Sequence, residues 1–188
     1  MINLHITDEV SRLRAVVLGI ANSNGPTPKL EDTYDPKSAE HIKAGTYPKE
    51  IDMVREMELV LQVLNKYNIE VYRPENISNY NQIFSRDIAF VIEDKMIISN
   101  ILPDRDKEID AIEHVWSQVE KNNLIVLPKE AHIEGGDVMP WGKYIFVGTY
   151  RGEDYADYIT ARTNMAAVRC LQDLFPTKEV VSFNLRKS

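Results

Sequence analysis

Ser85-Arg-Asp-Ile-Ala-Phe-Val-Ile-Glu-Asp-Lys-Met-Ile-Ile-Ser99 can be laid over Gly135-Gly-Asp-Val-Met-Pro-Trp-Gly-Lys-Tyr-Ile-Phe-Val-Gly148. Each block has a small or turn residue, an aspartate, a strand, a turn ending in lysine and a second strand. Asp87 and Asp137 head the two hairpins, 50 residues apart. A repeat of that size marks one supersecondary unit used several times around an axis or along a stack.

The same order recurs outside the two blocks. Lys49–Tyr67 carries Ile51, Val54, Met57, Leu61 and Leu64 at helical spacing, with Glu50, Asp52, Arg55 and Glu58 on the other side. A strand, Ile69–Tyr72, follows, and Pro74 ends it. A second helix starts near Asp104, with Ile109, Ile112, Val115, Trp116 and Val119 as its apolar face, and leads to the strand Leu124–Leu127. A third helix spans Tyr155–Leu174, and Val180–Phe183 is a last strand. The chain opens with an almost wholly apolar strand, Arg14–Ile20, as a strand covered on both faces would be. The pattern is one of about three units, the first with an atypical hairpin. An open edge follows the last strand, which predicts either an oligomer or a chain that stops early. Ala21–Thr46 lacks periodicity and holds Gly25, Pro26, Pro28, Pro36 and Gly45, so it reads as a functional flap or a poorly ordered loop.

Composition narrows the function classes. The chain has 188 residues, 44% hydrophobic and 27% charged, enough apolar mass for one domain with a sizeable core. A formal charge of -7 speaks against nucleic acid or an anionic membrane as partner. No apolar run approaches a membrane span, and Met1–Glu9 has no apolar block of the signal-peptide kind. The one cysteine, Cys170, excludes an internal disulfide framework and a thiolate zinc cage. The expected compartment is the cytoplasm.

Two segments carry chemistry. In Asn81-Gln-Ile-Phe-Ser-Arg-Asp87, Arg86 and Asp87 stand at the mouth of a buried-type strand. They are either ligand contacts or a surface salt bridge with a turn-capping aspartate. In His132-Ile-Glu-Gly-Gly-Asp137, the glycines permit a sharp turn or close backbone approach. His132 and Glu134 share a face if the segment is extended. Glu134 then binds a cation, orients a histidine or ligates a metal, or the segment is a polar turn capped by Asp137.

Taken together, Asn-x-x-Phe-x-Arg-Asp followed some 50 residues later by Glu-Gly-Gly-Asp resembles the guanidine-modifying enzymes of the pentein superfamily. These are the arginine deiminases, the dimethylarginine dimethylaminohydrolases and the amidinotransferases, the last being closest in style. Thr160-Ala-Arg-Thr163 resembles the Arg-Thr step of that group. The resemblance spans Arg14 to the C-terminus. It implies an α/β fold, a propeller of five ββαβ units of which about three are present. It implies a cysteine thiolate that attacks the guanidinium carbon, a histidine acid and base, and carboxylates that hold the planar cation.

Carried over by motif, Asp87 grips the guanidinium and Glu134 orients the catalytic histidine. Asn81 and Arg162 bind an α-carboxylate, Phe84 walls the pocket, and Arg86 and Asp137 are structural. The implied substrate is arginine or a related guanidino amino acid, with no cofactor, and a homo-oligomer is compatible. Residues 21–46 correspond to a lid. The chain departs from the pattern in one respect: no His-x-Asp motif and no late cysteine match the family's catalytic pair. Cys170, in Ala166-Ala-Val-Arg-Cys-Leu171, reads as a packing residue on a helix. The chain alone is therefore expected to be inactive. Three classes stay open: an amidinotransferase or deiminase-type hydrolase completed elsewhere, a non-catalytic binding or assembly module, and a metalloenzyme using His132, Glu134 and Asp137.

Overall fold

In the computed structural model, residues 1–33, 36–152 and 163–185 are described. The chain falls into two compact units, one of Met1–Arg12 with Arg86–Lys187 and one of Leu13–Ser85, where the composition suggested a single domain.

In the Leu13–Ser85 unit, β1 (Ala15–Val17) is followed by a 3-10 turn at Leu30–Asp32, α1 (Pro36–Ala44), α2 (Glu50–Lys66) and β2 (Glu70–Tyr72). β1 and β2 pair in parallel, a geometry that requires a crossover, and α2 lies within it. Val54, Met57, Leu61 and Leu64 of α2 are half-buried, as their spacing predicts, but Ile51 is exposed. The aperiodic stretch 21–46 contains α1. It escapes the pattern because Ala39 is its only buried residue, and because Pro36 reads as a breaker. At the first position of a helix the missing proline N–H costs nothing.

The other unit repeats one topology twice. α3 (Ser85–Ile88) leads into an antiparallel hairpin, β3 (Ala89–Ile92) and β4 (Lys95–Ile98). After helical turns α4 (Lys107–Asp110) and α5 (Glu113–Trp116), β5 (Leu124–Val126) pairs in parallel with β4. The second hairpin is β6 (Val138–Trp141) and β7 (Tyr144–Thr149). After α6 (Met165–Leu174), β8 (Glu179–Asn184) pairs in parallel with β7. The helix expected from Asp104 onward is broken into two, although Ile112, Val115 and Val119 are buried as predicted. Ile112 breaks it, with a backbone at φ -112 and ψ 17. The third helix begins at Met165, where the Asn164 side chain accepts from the Ala167 amide 3.1 Å away as an N-cap. Its expected first turns, 155–162, lie outside the described residues.

Counted from their turns, the two hairpins superpose with Trp141 over Ile92, an offset of 49 residues. Asp87 thus falls on Gly136 and not on Asp137, a correction of one residue. Phe90, Ile92 and Ile97 of the first sheet join Val138, Ile145 and Val147 of the second in one core, closed by Ala167, Val168 and Leu171 of α6. Cys170 packs against this core, as its helical place predicts. The buried Lys178 ties both hairpin turns together. Its Nζ lies 2.9 Å from Glu93 Oε1 and donates to the Gly142 carbonyl at 2.6 Å. Among the described residues, no helix is long and apolar enough to cross a membrane.

Candidate functional site

The two motifs meet in space. A Cβ on Gly135 would stand 2.2 Å from the Arg86 carbonyl oxygen, and one on Gly136 would stand 2.5 Å from Asp87 Oδ1. Only residues without side chains let the Glu-Gly-Gly-Asp turn lie this close to Arg86 and Asp87. Both uses the sequence offers for this glycine pair, a tight turn and a close backbone approach, are present. Arg86 fastens the contact, with Nε donating to the Gly135 carbonyl at 3.1 Å and Nη2 to the Val138 carbonyl at 2.8 Å. Its Nη1 and Nη2 also hold both carboxylate oxygens of Glu9. Arg86 thus spans the turn and the N-terminal segment.

At this junction three carboxylates surround one guanidinium. Arg105, just before α4, donates from Nε to Glu108 Oε1 at 2.7 Å and from Nη2 to Glu108 Oε2 at 3.1 Å. Its Nη1 donates to Asp87 Oδ2 at 3.0 Å and lies 3.8 Å from Glu134 Oε1. The side chains of Arg105 and Asp87 are 12% and 17% exposed, and Glu108 is 2% exposed. Burial works against the charge of Arg105, but the hydrogen bonds and charges of Glu108 and Asp87 outweigh it, so the guanidinium stays protonated. Burial pushes the Glu108 carboxyl above its ordinary value, and Arg105 offsets part of that rise.

The third sequence segment also reaches the turn. The Glu134 amide donates to Thr163 Oγ1 at 3.2 Å, and that hydroxyl donates to Asp137 Oδ2 at 2.6 Å. Thr163 is fully buried and links the residues just before α6 to the Glu-Gly-Gly-Asp turn. Asp137 therefore braces the turn. Behind it lies an open cavity of about 490 Å³, lined by Gly136, Asp137, Phe146, Gly148, Phe183 and Leu185 among others. Among the described residues, no group of three or more His, Cys, Asp or Glu side chains is placed to hold a metal ion. The His132–Glu134–Asp137 trio is therefore not assembled as a metal site.

Of the expected site residues, Asp87 and Glu134 come together on Arg105. Asn81 and Phe84 belong to the Leu13–Ser85 unit. Asn81 Oδ1 accepts from the Ile83 amide at 3.1 Å, and the Phe84 ring is 57% exposed. Their loop is held by the buried Gln82, whose Nε2 donates to the Glu75 carbonyl at 2.8 Å. Gln82 Oε1 accepts from the Ile77 amide at 2.7 Å. Arg162 lies outside the described residues. Arg105, Glu108, Gln82 and Thr163 were not singled out individually from the sequence. The signal for the first two was an Arg-x-x-Glu pair just after Pro103.

No protein-family model matches the chain. The uncharacterized protein YkgA of Bacillus subtilis is 28% identical over 130 residues, 68% of this chain and 41% of YkgA. A dimethylarginine dimethylaminohydrolase of Pseudomonas aeruginosa, solved with citrulline, matches with a TM-score of 0.65 at 14% identity, over 94% of this chain and 62% of that one. SxtG, an amidinotransferase of Microseira wollei, matches at 0.70 and 14% identity, over 97% and 62%. The inosamine-phosphate amidinotransferase StrB1 of Streptomyces griseus matches at 0.67 and 16% identity, again over 97% and 62%. The chain spans about two-fifths of the curated relative's length and about three-fifths of these solved chains. At such identities the likeness is one of fold.

Proposed function

We propose, from the fold this chain shares with the pentein superfamily, that it is the guanidinium-gripping part of an amidinotransferase-like enzyme. The substrate is arginine or a related guanidino amino acid. One observation carries this reading: Asp87 and Glu134, from two motifs distant in sequence, already meet on a guanidinium, that of Arg105. Planar cations are held by carboxylates through charge-assisted hydrogen bonds.

In the proposed reaction Asp87 holds the substrate guanidinium and Glu134 orients a histidine. A cysteine thiolate adds to the guanidinium carbon, and the bond to the departing amine breaks as the histidine gives that amine a proton. Water or a second amine then adds to the carbon as it gives a proton back to the histidine, and the C–S bond breaks to return the thiolate. Asn81 and Arg162 would hold the α-carboxylate, Phe84 would wall the pocket, and residues 21–46 would close over it and exclude water. The thiolate and histidine are matched by no residue of these 188, so a further segment or a partner chain would supply them. The setting would be the cytoplasm.

The repeat supports the propeller arrangement. By the hairpin register, Phe90, Ile92, Ile97 and Ile125 of the first sheet correspond to Met139, Trp141, Phe146 and Val181 of the second. The first set is covered by the following sheet. In the second set Met139 is 51% and Trp141 46% exposed, and neighbouring Phe183 is 52% exposed. An apolar face of this kind is one that a further like unit covers. It also favours the second reading, a pentein-fold assembly module without chemistry.

These 188 residues alone are expected to convert no arginine to citrulline, ornithine or a new guanidino product, as read by mass spectrometry. A rate on arginine that disappears in Asp87→Asn would overturn the reading that the thiolate and histidine come from elsewhere.

A further inference from the structure

We propose that the outer face of α2 is a self-association surface, on which a second copy of this chain docks its own α2, antiparallel, about a twofold axis. The face belongs to the Leu13–Ser85 unit, and the inference is independent of the function proposed above.

A surface helix ordinarily turns one apolar stripe inward and a polar face outward. α2 carries two apolar stripes. Val54, Met57, Leu61 and Leu64 form the half-buried one. The second runs along Val60, Val63 and Tyr67, with Leu59 beside it, and Glu56 stands one turn before Val60. Leu59, Val60, Val63 and Tyr67 are 51%, 45%, 55% and 63% exposed. With about 3.6 residues per turn, this stripe lies roughly 120° around the helix from the first. Its steps alternate between three and four residues, the spacing along which two helices pack side by side. A run of large apolar side chains left open on one side of a helix marks an interaction site.

The charges select the occupant. Glu56 heads the stripe and Lys66 stands at its other end; both are exposed, and among the described residues neither makes an ion pair. Other acidic residues of α2 are engaged within the chain: Glu58 Oε1 lies 3.4 Å from Arg73 Nη1, and Glu50 Oε1 accepts from the Ser23 amide at 3.2 Å. In an antiparallel pair centred level with Leu61, Leu59 of one copy stands opposite Val63 of the other, and Glu56 opposite Lys66. Arg55 comes level with the Tyr67 ring, where a cation–π contact can form. The twofold axis makes each of these contacts twice. Antiparallel helices also set their dipoles head to tail. A parallel pair would instead place Glu56 against Glu56 and Lys66 against Lys66, and like charges repel. The stripe and its end charges are thus complementary to a second copy of themselves. One helix pair is a small interface, so the association is weak and concentration-dependent.

The test is sedimentation equilibrium of the 188-residue chain and three variants. Between about 1 μM and about 1 mM, the range of weak specific association, the wild-type mass should rise from 21.6 kDa toward twice that value. Val63→Glu puts a charge at the middle of the stripe and should hold the mass at 21.6 kDa throughout, with an unchanged melting temperature. Glu56→Lys and Lys66→Glu should each weaken association about tenfold, since each turns two attractive pairs into repulsive ones. The two together should restore it, because the exchanged charges meet again across the twofold axis. A wild-type mass that stays at 21.6 kDa would overturn the proposal and leave the stripe to a different protein or to a further segment of a longer chain. A dimer that survives Val63→Glu would place the interface elsewhere and overturn it too. Single charge reversals without effect, or a double reversal without recovery, would overturn the antiparallel pairing. Amide hydrogen exchange of the wild type needs no variant to fold. Exchange at residues 56–67 should slow as concentration rises, and unchanged exchange there alongside a rising mass would also overturn the proposal.

Discussion

Asp87→Asn is expected to weaken arginine binding by about 30- to 150-fold, the equivalent of about 2–3 kcal/mol for losing one partner of a desolvated ion pair. The substitution keeps the shape of the side chain and removes its charge. Arg105 keeps its two bonds to Glu108, and the like-charge crowding among Asp87, Glu108 and Glu134 is relieved. Thermal stability should therefore hold within about 1 kcal/mol, since the lost hydrogen bond and the relieved repulsion oppose each other. Calorimetric melting and an arginine titration on the same sample separate the two effects. Equal losses of binding and stability would make Asp87 a structural residue.

Glu108→Ala should show the reverse pattern. Glu108 is 2% exposed and takes two of the Arg105 donors. Its removal leaves a buried guanidinium short of its principal partner, and breaking such a pair costs about 3–5 kcal/mol. That is a large share of the 5–15 kcal/mol, roughly, that holds a domain folded. Replacing both partners with leucine removes the stranded charge along with the pair, so most of that stability should return, by the same reasoning. Urea unfolding of the two variants measures this. If Glu108→Ala and the double replacement are equally destabilised, the loss comes from packing and not from an orphaned charge.

The fold was more legible than the site. Short apolar runs bounded by turn residues, repeated in the same order, placed both hairpins. The error of one residue in matching Asp87 to Asp137 came from aligning residue types. Turn geometry sets the true offset, and the two aspartates differ accordingly: Asp87 meets Arg105, whereas Asp137 braces Thr163. α1 was missed because a short polar helix opened by Pro36 carries no apolar period. Asp87 and Glu134 stood out through their motifs. Arg105 and Glu108 did not, because charged residues spaced i and i+3 ordinarily describe a solvated helix face. Only the packed structure shows Glu108 in the interior. Lys178 went unremarked for the same reason, since a lysine joining two turns through buried bonds looks like any surface lysine in one dimension.

The central claim is that the Asp87–Glu134 junction is built to hold a guanidinium. The most direct measurement is a paired NMR titration of the wild-type chain with arginine and with citrulline, which replaces the charged guanidinium with a neutral ureido group of nearly the same shape. Arginine should shift the amides of Asp87, Glu134, Gly135 and Gly136 in a saturable way, with citrulline at least tenfold weaker at the same residues. Indifference to arginine, or equal binding of the two compounds, would contradict the account.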